Sequence, residues 1–235
     1  MKRPIKLLLV KTSPSNDGYG SRILADLEEF ITEKLGCELV IYDQEKENIE
    51  FGKSNMQQFV EAGKKDETRF EKMIMESDGM IIFSPVYLRQ MPGEFKITLD
   101  RFSYRMHEFP LIGKKIITFA YCNSNGADDL TKYFNTIFTS AGAEIIGSEE
   151  YYQALESYDD KMAQLKNEIQ IMYVRIEKNL FNVTQKQEQL FQYYKTIIIH
   201  EKEKGIKTNR QKRWSVLNKY ESLCDYIEAT YIKAT

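Results

Sequence analysis

The chain has 235 residues, 42% hydrophobic and 29% charged, which supplies a core for one or two domains and excludes a disordered chain. Its 33 Lys and Arg against 35 Asp and Glu leave a net charge of −2, so no global field draws it to nucleic acid or an anionic membrane. No apolar run approaches the ~18 residues of a membrane span, which reads as a cytoplasmic protein acting on something small.

In chain order, KLLLV reads as a first strand, 21–35 as a helix, CELVIY as a strand and 67–75 as a helix. GMIIFS is then a strand, 92–105 a helix, KKIITFAY a strand, 128–141 a helix and AEIIGSE a fifth strand. Runs such as MIIF and IITFA are apolar at consecutive positions, which suits strands covered on both faces. The expectation is an α/β protein with a five-stranded, doubly wound parallel sheet over 1–149.

Past Glu149 the pattern is helical. All five prolines lie at or before Pro110, and Gly205 is the one glycine after Gly147. Met162, Ile169, Ile176, Val183, Leu190 and Ile197 recur every seven residues. Polar Asn179 and Lys186 at the second seam argue against a sustained coiled coil and for one long helix, or two broken near Asn182-Val183-Thr184. A last helix carries Val216, Tyr220, Leu223, Ile227 and Tyr231 on one face. This all-helical extension, 150–235, is assigned to oligomerisation, partner docking or covering the active site. It holds nine of the fifteen tyrosines.

In doubly wound sheets ligands sit outside the carboxyl ends of the strands. The loop after strand one is Thr12-Ser13-Pro14-Ser15-Asn16-Asp17-Gly18-Tyr19-Gly20-Ser21. Its glycines let N–H groups turn inward, the hydroxyls of Ser13, Ser15 and Ser21 donate, and a helix N-terminus follows, so it suits a phosphate without a lysine. The third glycine of G-x-G-x-x-G would fall at Ile23, and no G-x-x-x-x-G-K-[ST] occurs, so a terminal phosphate fits better than a pyrophosphate or triphosphate. After strand three, Pro85-Val86-Tyr87-Leu88 leads to Pro92, a stiff apolar stretch that offers a wall to a flat ring. After strand four, Cys122-Asn123-Ser124-Asn125-Gly126 offers amides and N–H groups to a heterocycle's polar edge. Asp128 and Asp129 read as first-turn charges, and Lys96 with Asp100 as a surface pair. Cys37, Cys122 and Cys224 are too scattered for a disulfide framework or thiolate cluster, and with His107 and His200 as the only histidines neither a metal site nor a Ser-His triad is expected.

These segments, SPSNDGYGS, FSPVYLRQMPGEFKITLDRF and GKKIITFAYCNSNG, resemble the flavodoxin-like family of NAD(P)H-dependent FMN reductases, including its iron-sulfur flavoprotein branch, over about residues 4–149. The resemblance implies noncovalent FMN, with its phosphate in the loop of Ser13, Ser15, Gly18, Tyr19, Gly20 and Ser21. Its ring would lie against Pro85, Val86, Tyr87 and Leu88, beside Cys122, Asn123, Ser124, Asn125 and Gly126. It also implies NAD(P)H as co-substrate, a quinone-like or other small acceptor, and a homodimer or homotetramer. Three departures stand out. No cysteine lies in 43–65, so no iron-sulfur cluster is expected; Ser15 replaces a basic residue; and Leu88 stands where many relatives have an aromatic. The flavin would carry the chemistry, with no catalytic side chain required and Cys122 more plausibly a strand-end packing residue than a redox thiol. The competing reading is an electron carrier, or a scaffold whose helical tail docks a partner.

Overall fold

The structure is a computed structural model that describes residues 3–47, 68–208 and 210–231. Most of the cysteine-free span 43–65, and the start of the helix expected at 67, lie outside the described residues.

Five parallel strands, β1 (Lys6–Lys11), β2 (Glu38–Asp43), β3 (Gly79–Pro85), β4 (Lys115–Cys122) and β5 (Glu144–Tyr152), form one sheet in the order β2-β1-β3-β4-β5. This is the flavodoxin-like doubly wound order. The alternation of Cβ directions along each strand divides the core in two. Leu8, Val10, Met80, Ile82, Ile116 and Ala120 face one side, covered by helices α2 (Arg69–Glu76), α3 (Gly93–Phe102) and α4 (Ala127–Ser140). Leu7, Leu9, Ile81, Phe83, Ile117 and Phe119 face the other, covered by α1 (Tyr19–Glu29) and α5 (Tyr158–Glu177).

Helix α5 therefore belongs to the sandwich. Met162, Leu165, Ile169 and Met172 bury its stripe on the sheet. The last strand also runs three residues beyond Glu149, so a boundary at that point falls inside β5. The sevenfold seam is shared between two cores: Met162 and Ile169 pack on the sheet, whereas Val183 and Leu190 pack in a third cluster. The helical break comes where Asn182-Val183-Thr184 places it, with Thr184 and Gln187 forming a capping box for α6 (Gln185–Glu203).

The single helix expected after Gly205 is two, α7 (Arg210–Leu217) and α8 (Leu223–Thr230). Ser222 and Asp225 form a fresh capping box that starts α8, and Val216 is exposed on α7 rather than on a shared face. With α6, these helices build a core of Phe181, Phe191, Ile198, Trp214, Leu217 and Ile227 against Phe109 and Ile112. Trp214 Nε1 donates to the His107 carbonyl at 2.8 Å, and Gln187 Nε2 donates to the Ala143 carbonyl at 2.8 Å. Phe109, Ile112 and Ala143 precede β4 and β5, so the tail caps the amino ends of these strands. Among the described residues, α6 to α8 lie at this end of the sheet. No described helix is long and apolar enough to cross a membrane.

Candidate functional site

The three loops singled out from the sequence meet at the carboxyl end of the sheet. Thr12 N donates to the Phe83 carbonyl at 3.2 Å and Thr12 Oγ1 to Ser84 Oγ at 2.7 Å, which ties the first loop to β3. Val86 N donates to the Tyr121 carbonyl at 3.0 Å, which ties β3 to β4. A Cβ on Gly126 would stand 3.3 Å from both Arg89 Cα and Val86 Cγ1, so the second and third loops touch there, and Gly126 supplies the positive φ (87°) that turns the chain into α4.

The first loop is built from its own hydroxyls. Ser15 N donates to Ser13 Oγ at 3.3 Å, Asp17 N to Ser15 Oγ at 3.2 Å, and Ser21 Oγ to the Asn16 carbonyl at 2.5 Å. Gly18, at φ 109°, precedes α1 with no side-chain cap. The N–H groups of Asn16, Gly18, Tyr19 and Gly20 take part in none of the hydrogen bonds formed among the described residues. The free N–H groups of Gly18, Tyr19 and Gly20 at an uncapped helix N-terminus, with that of Asn16 just before it, are donors of the kind a phosphate monoester takes, so the residues present fit one. Gly20 is buried, and its missing side chain leaves room for the Tyr121 hydroxyl. Burial raises the Tyr121 phenol above its ordinary value, with Ser13 pulling weakly the other way, so Tyr121 stays a neutral hydroxyl.

One contributor is not legible in the sequence. Lys11, at the end of β1, is fully buried beneath this loop and donates to Asp43 Oδ1 at 2.8 Å, with Glu45 Oε2 at 3.7 Å. The partners lie 32 residues apart, so no local spacing announces the pair. Tyr19, inside the loop, packs against Tyr151 and Tyr158 with ring centroids 5.8 and 6.0 Å away. Tyr158 in turn donates to Asp26 Oδ2 at 2.6 Å and lies 3.6 Å under the Arg22 guanidinium. Tyr151 of β5 and the start of α5 thus brace the phosphate loop from the side.

In the second loop Pro85 is buried and ends β3, Val86 is half-buried, and Tyr87 and Leu88 are exposed. Tyr87 and Gln90 exchange backbone hydrogen bonds of 2.7 and 3.0 Å around a two-residue turn made by Leu88 and Arg89. Arg89 Nε donates to Asp129 in the first turn of α4, giving that acid a partner as well as a helix-terminal place. Lys96 and Asp100 form the surface pair their spacing predicts.

In the third loop Asn123, Ser124 and Asn125 are exposed and Gly126 is buried. Gln153 N and Ala154 N donate to the Cys122 and Asn123 carbonyls at 2.9 and 3.0 Å, holding the loop against the end of β5. Burial pushes the Cys122 thiol up, against the opposing pull of the N–H groups of Ala127, Asn125 and Ser124 that face its sulfur. It is a thiol around which the loop is folded, not a reactive thiolate.

The fold recurs in solved structures. An NADH:FMN oxidoreductase in its apo form aligns with a TM-score of 0.54 at 19% identity, over 72% of this chain and 89% of that one. The protein RosB, holding 8-demethyl-8-formylriboflavin-5′-phosphate, aligns at 0.54 with 17% identity, over 72% and 76%. An oxidoreductase from Corynebacterium diphtheriae aligns at 0.51 with 15% identity, over 74% and 96%. These likenesses speak for the fold. Residues 5–156, well over half of the sequence, match the model of the NADPH-dependent FMN reductases, and the chain belongs to that family.

Proposed function

We propose that the three loops hold FMN and that the chain is an NAD(P)H-dependent reductase of a quinone-like small acceptor. The observation that carries this reading is the set of four unpartnered N–H groups at the start of α1, beside two loops fused to the same strand ends. Those N–H groups, with Ser13, Ser15 and Ser21, bind the phosphate, and Gly20 lets the helix N-terminus that carries them sit close over Tyr121 at the strand ends. Pro85, Val86, Tyr87 and Leu88 wall the ring, and Cys122, Asn123, Ser124, Asn125 and Gly126 present backbone and amide groups to its polar edge.

The bound flavin would accept a hydride from the nicotinamide and pass two electrons to the acceptor, a quinone taking up two protons in all to become a quinol. The residues then need only position and polarity. Holding two rings at near-attack separation, about 3 to 3.5 Å, is work for a stiff wall rather than an acid-base pair. The family resemblance also supports a homodimer or homotetramer.

The test is an absorbance spectrum of the purified chain with FMN, before and after NADPH. A flavin band at about 450 nm that NADPH bleaches and a quinone restores supports the reductase. Flavin that NADPH never bleaches would favour an electron carrier, and a chain that saturating FMN leaves colourless would favour a scaffold. Ser21→Glu, which sets a negative charge against the phosphate, should expel FMN; retained flavin would put the phosphate elsewhere.

A further inference from the structure

The turn between Tyr87 and Gln90 carries the wrong residues for its shape. Leu88 has φ 50° and Arg89 φ 64°, so both central residues of a two-residue turn sit in the left-handed region. This is the type I′ pattern, which Asn-Gly makes without strain and which a leucine and an arginine make only against the contact between Cβ and backbone. The conformation is held from outside by three contacts. Tyr87 and Gln90 close its base, Arg89 Nε is tied to Asp129, and a Cβ on Gly126 would stand 3.3 Å from Arg89 Cα, so the third loop backs the turn closely.

What the strain achieves is visible in the side chains. Leu88 is 99% exposed, the most exposed of the large apolar residues described, and it stands on the loop that walls the proposed ring site. Solitary exposed leucines are ordinary on protein surfaces. One held out at positive φ by an ion pair, where a relaxed dipeptide would close the same turn, is not explained by folding.

We propose that Leu88 is a specificity-determining residue that gives an apolar contact to ring-bearing electron acceptors, and that the Arg89–Asp129 pair is the positioning device that holds it there. The proposal rests on the reductase reading above and adds to it the residue that selects among acceptors and the ion pair that positions it. Acceptors reduced without stacking, such as ferricyanide, gain nothing from the leucine.

The experiment compares kcat/KM for menadione with kcat/KM for ferricyanide in one flavin-loaded preparation, so that any loss of flavin cancels in the ratio. L88N/R89G, which closes the turn with the relaxed dipeptide, should raise Tm and lower the menadione-to-ferricyanide ratio at least about fivefold, the scale on which apolar pocket contacts discriminate. L88M, which keeps an apolar side chain, should hold the ratio near the parent value, and the charge-reversed pair R89D/D129R should restore a ratio lowered by R89D alone. A ratio that falls less than about fivefold in L88N/R89G, or falls equally in L88M, overturns the proposal. A parent chain that stays colourless with FMN overturns the reductase reading and this proposal together, whereas normal bleaching with a flat ratio overturns this proposal alone.

Discussion

The hydroxyl of Tyr121, at the end of β4, lies 2.7 Å from the point that a Cβ on Gly20 would occupy, and Ser13 Cβ lies 3.3 Å from it. The start of α1 can sit this low over the sheet only because residue 20 has no side chain. Gly20→Ala should lift the helix N-terminus and weaken FMN binding by about tenfold, since N–H groups displaced by fractions of an ångström lose alignment with a charged acceptor. Tyr121→Phe removes the obstructing oxygen and should recover part of the loss. Quenching of flavin fluorescence on titration measures both, and an unchanged affinity in Gly20→Ala would place the phosphate away from α1.

The Lys11–Asp43 pair makes the floor beneath that loop sensitive to acid. Burial opposes ionisation of Asp43, but the hydrogen bond and charge of Lys11 outweigh it and hold the carboxyl below its usual range. A depressed carboxylate contributes stability above its unfolded value of about 3.9 and loses it as pH falls through the lower folded value. Asp43→Asn removes the charge facing the buried Lys11, leaving Glu45 at 3.7 Å as its remaining carboxylate among the described residues, and should lower stability at neutral pH by about 3 kcal/mol. Urea unfolding checks the loss, and the variant's acid limb should be flatter than the parent's.

Glu168 predicts the opposite pH dependence. A Cβ on Gly147 would overlap the Glu168 carboxyl, whose buried Oε2 lacks an ordinary donor and faces Glu149, with Lys161 bonded to the latter at 3.0 Å. Burial first, and then the charge of Glu149, push the Glu168 carboxyl up to about 8. It therefore holds its proton to a higher pH than an ordinary glutamate. For a carboxyl raised in the folded state, the stabilising proton is fully present below the unfolded value of about 4.3 and lost as pH rises through 8. Glu168→Gln keeps a donor without that proton, so its Tm should exceed the parent's at pH 9 and vary less between pH 6 and 9. Equal slopes in thermal unfolding would show that Glu168 is ionised at neutral pH.

Trp214 is the chain's single tryptophan and is fully buried in the tail's own core. Its fluorescence should be that of an apolar site and should shift to the red when the tail unfolds. Trp214→Ala opens a cavity in the cluster and should cost about 3–5 kcal/mol, while FMN affinity at the far end of the sheet stays unchanged. A solvent-exposed emission spectrum in the native protein would contradict the packing of α7 on His107 and Phe109.

The five strands were legible because continuous apolar runs have one comfortable place, the middle of a covered parallel sheet. The split of the last helix had its own signal in Ser222 and Asp225, a start motif hidden within an apolar repeat that continues past it. Helix α1 begins at Tyr19 rather than Ser21, directly after Gly18 at φ 109°. The site residues came from loop position and residue type, and the structure gathers these loops together. Lys11 stayed hidden because a lysine ending a strand is ordinarily solvated, and the distant Asp43 and Glu45 make its burial tolerable. The left-handed turn at Leu88 and Arg89 had no glycine or asparagine to announce it.

The phosphate grip itself is tested by titrating the flavin-free chain with FMN and with riboflavin, which differ only in the monoester. Binding through the N–H groups of Asn16, Gly18, Tyr19 and Gly20 requires FMN to bind at least about a hundredfold more tightly, given several charge-assisted hydrogen bonds of about 1.5–3 kcal/mol each. Equal affinities would contradict it.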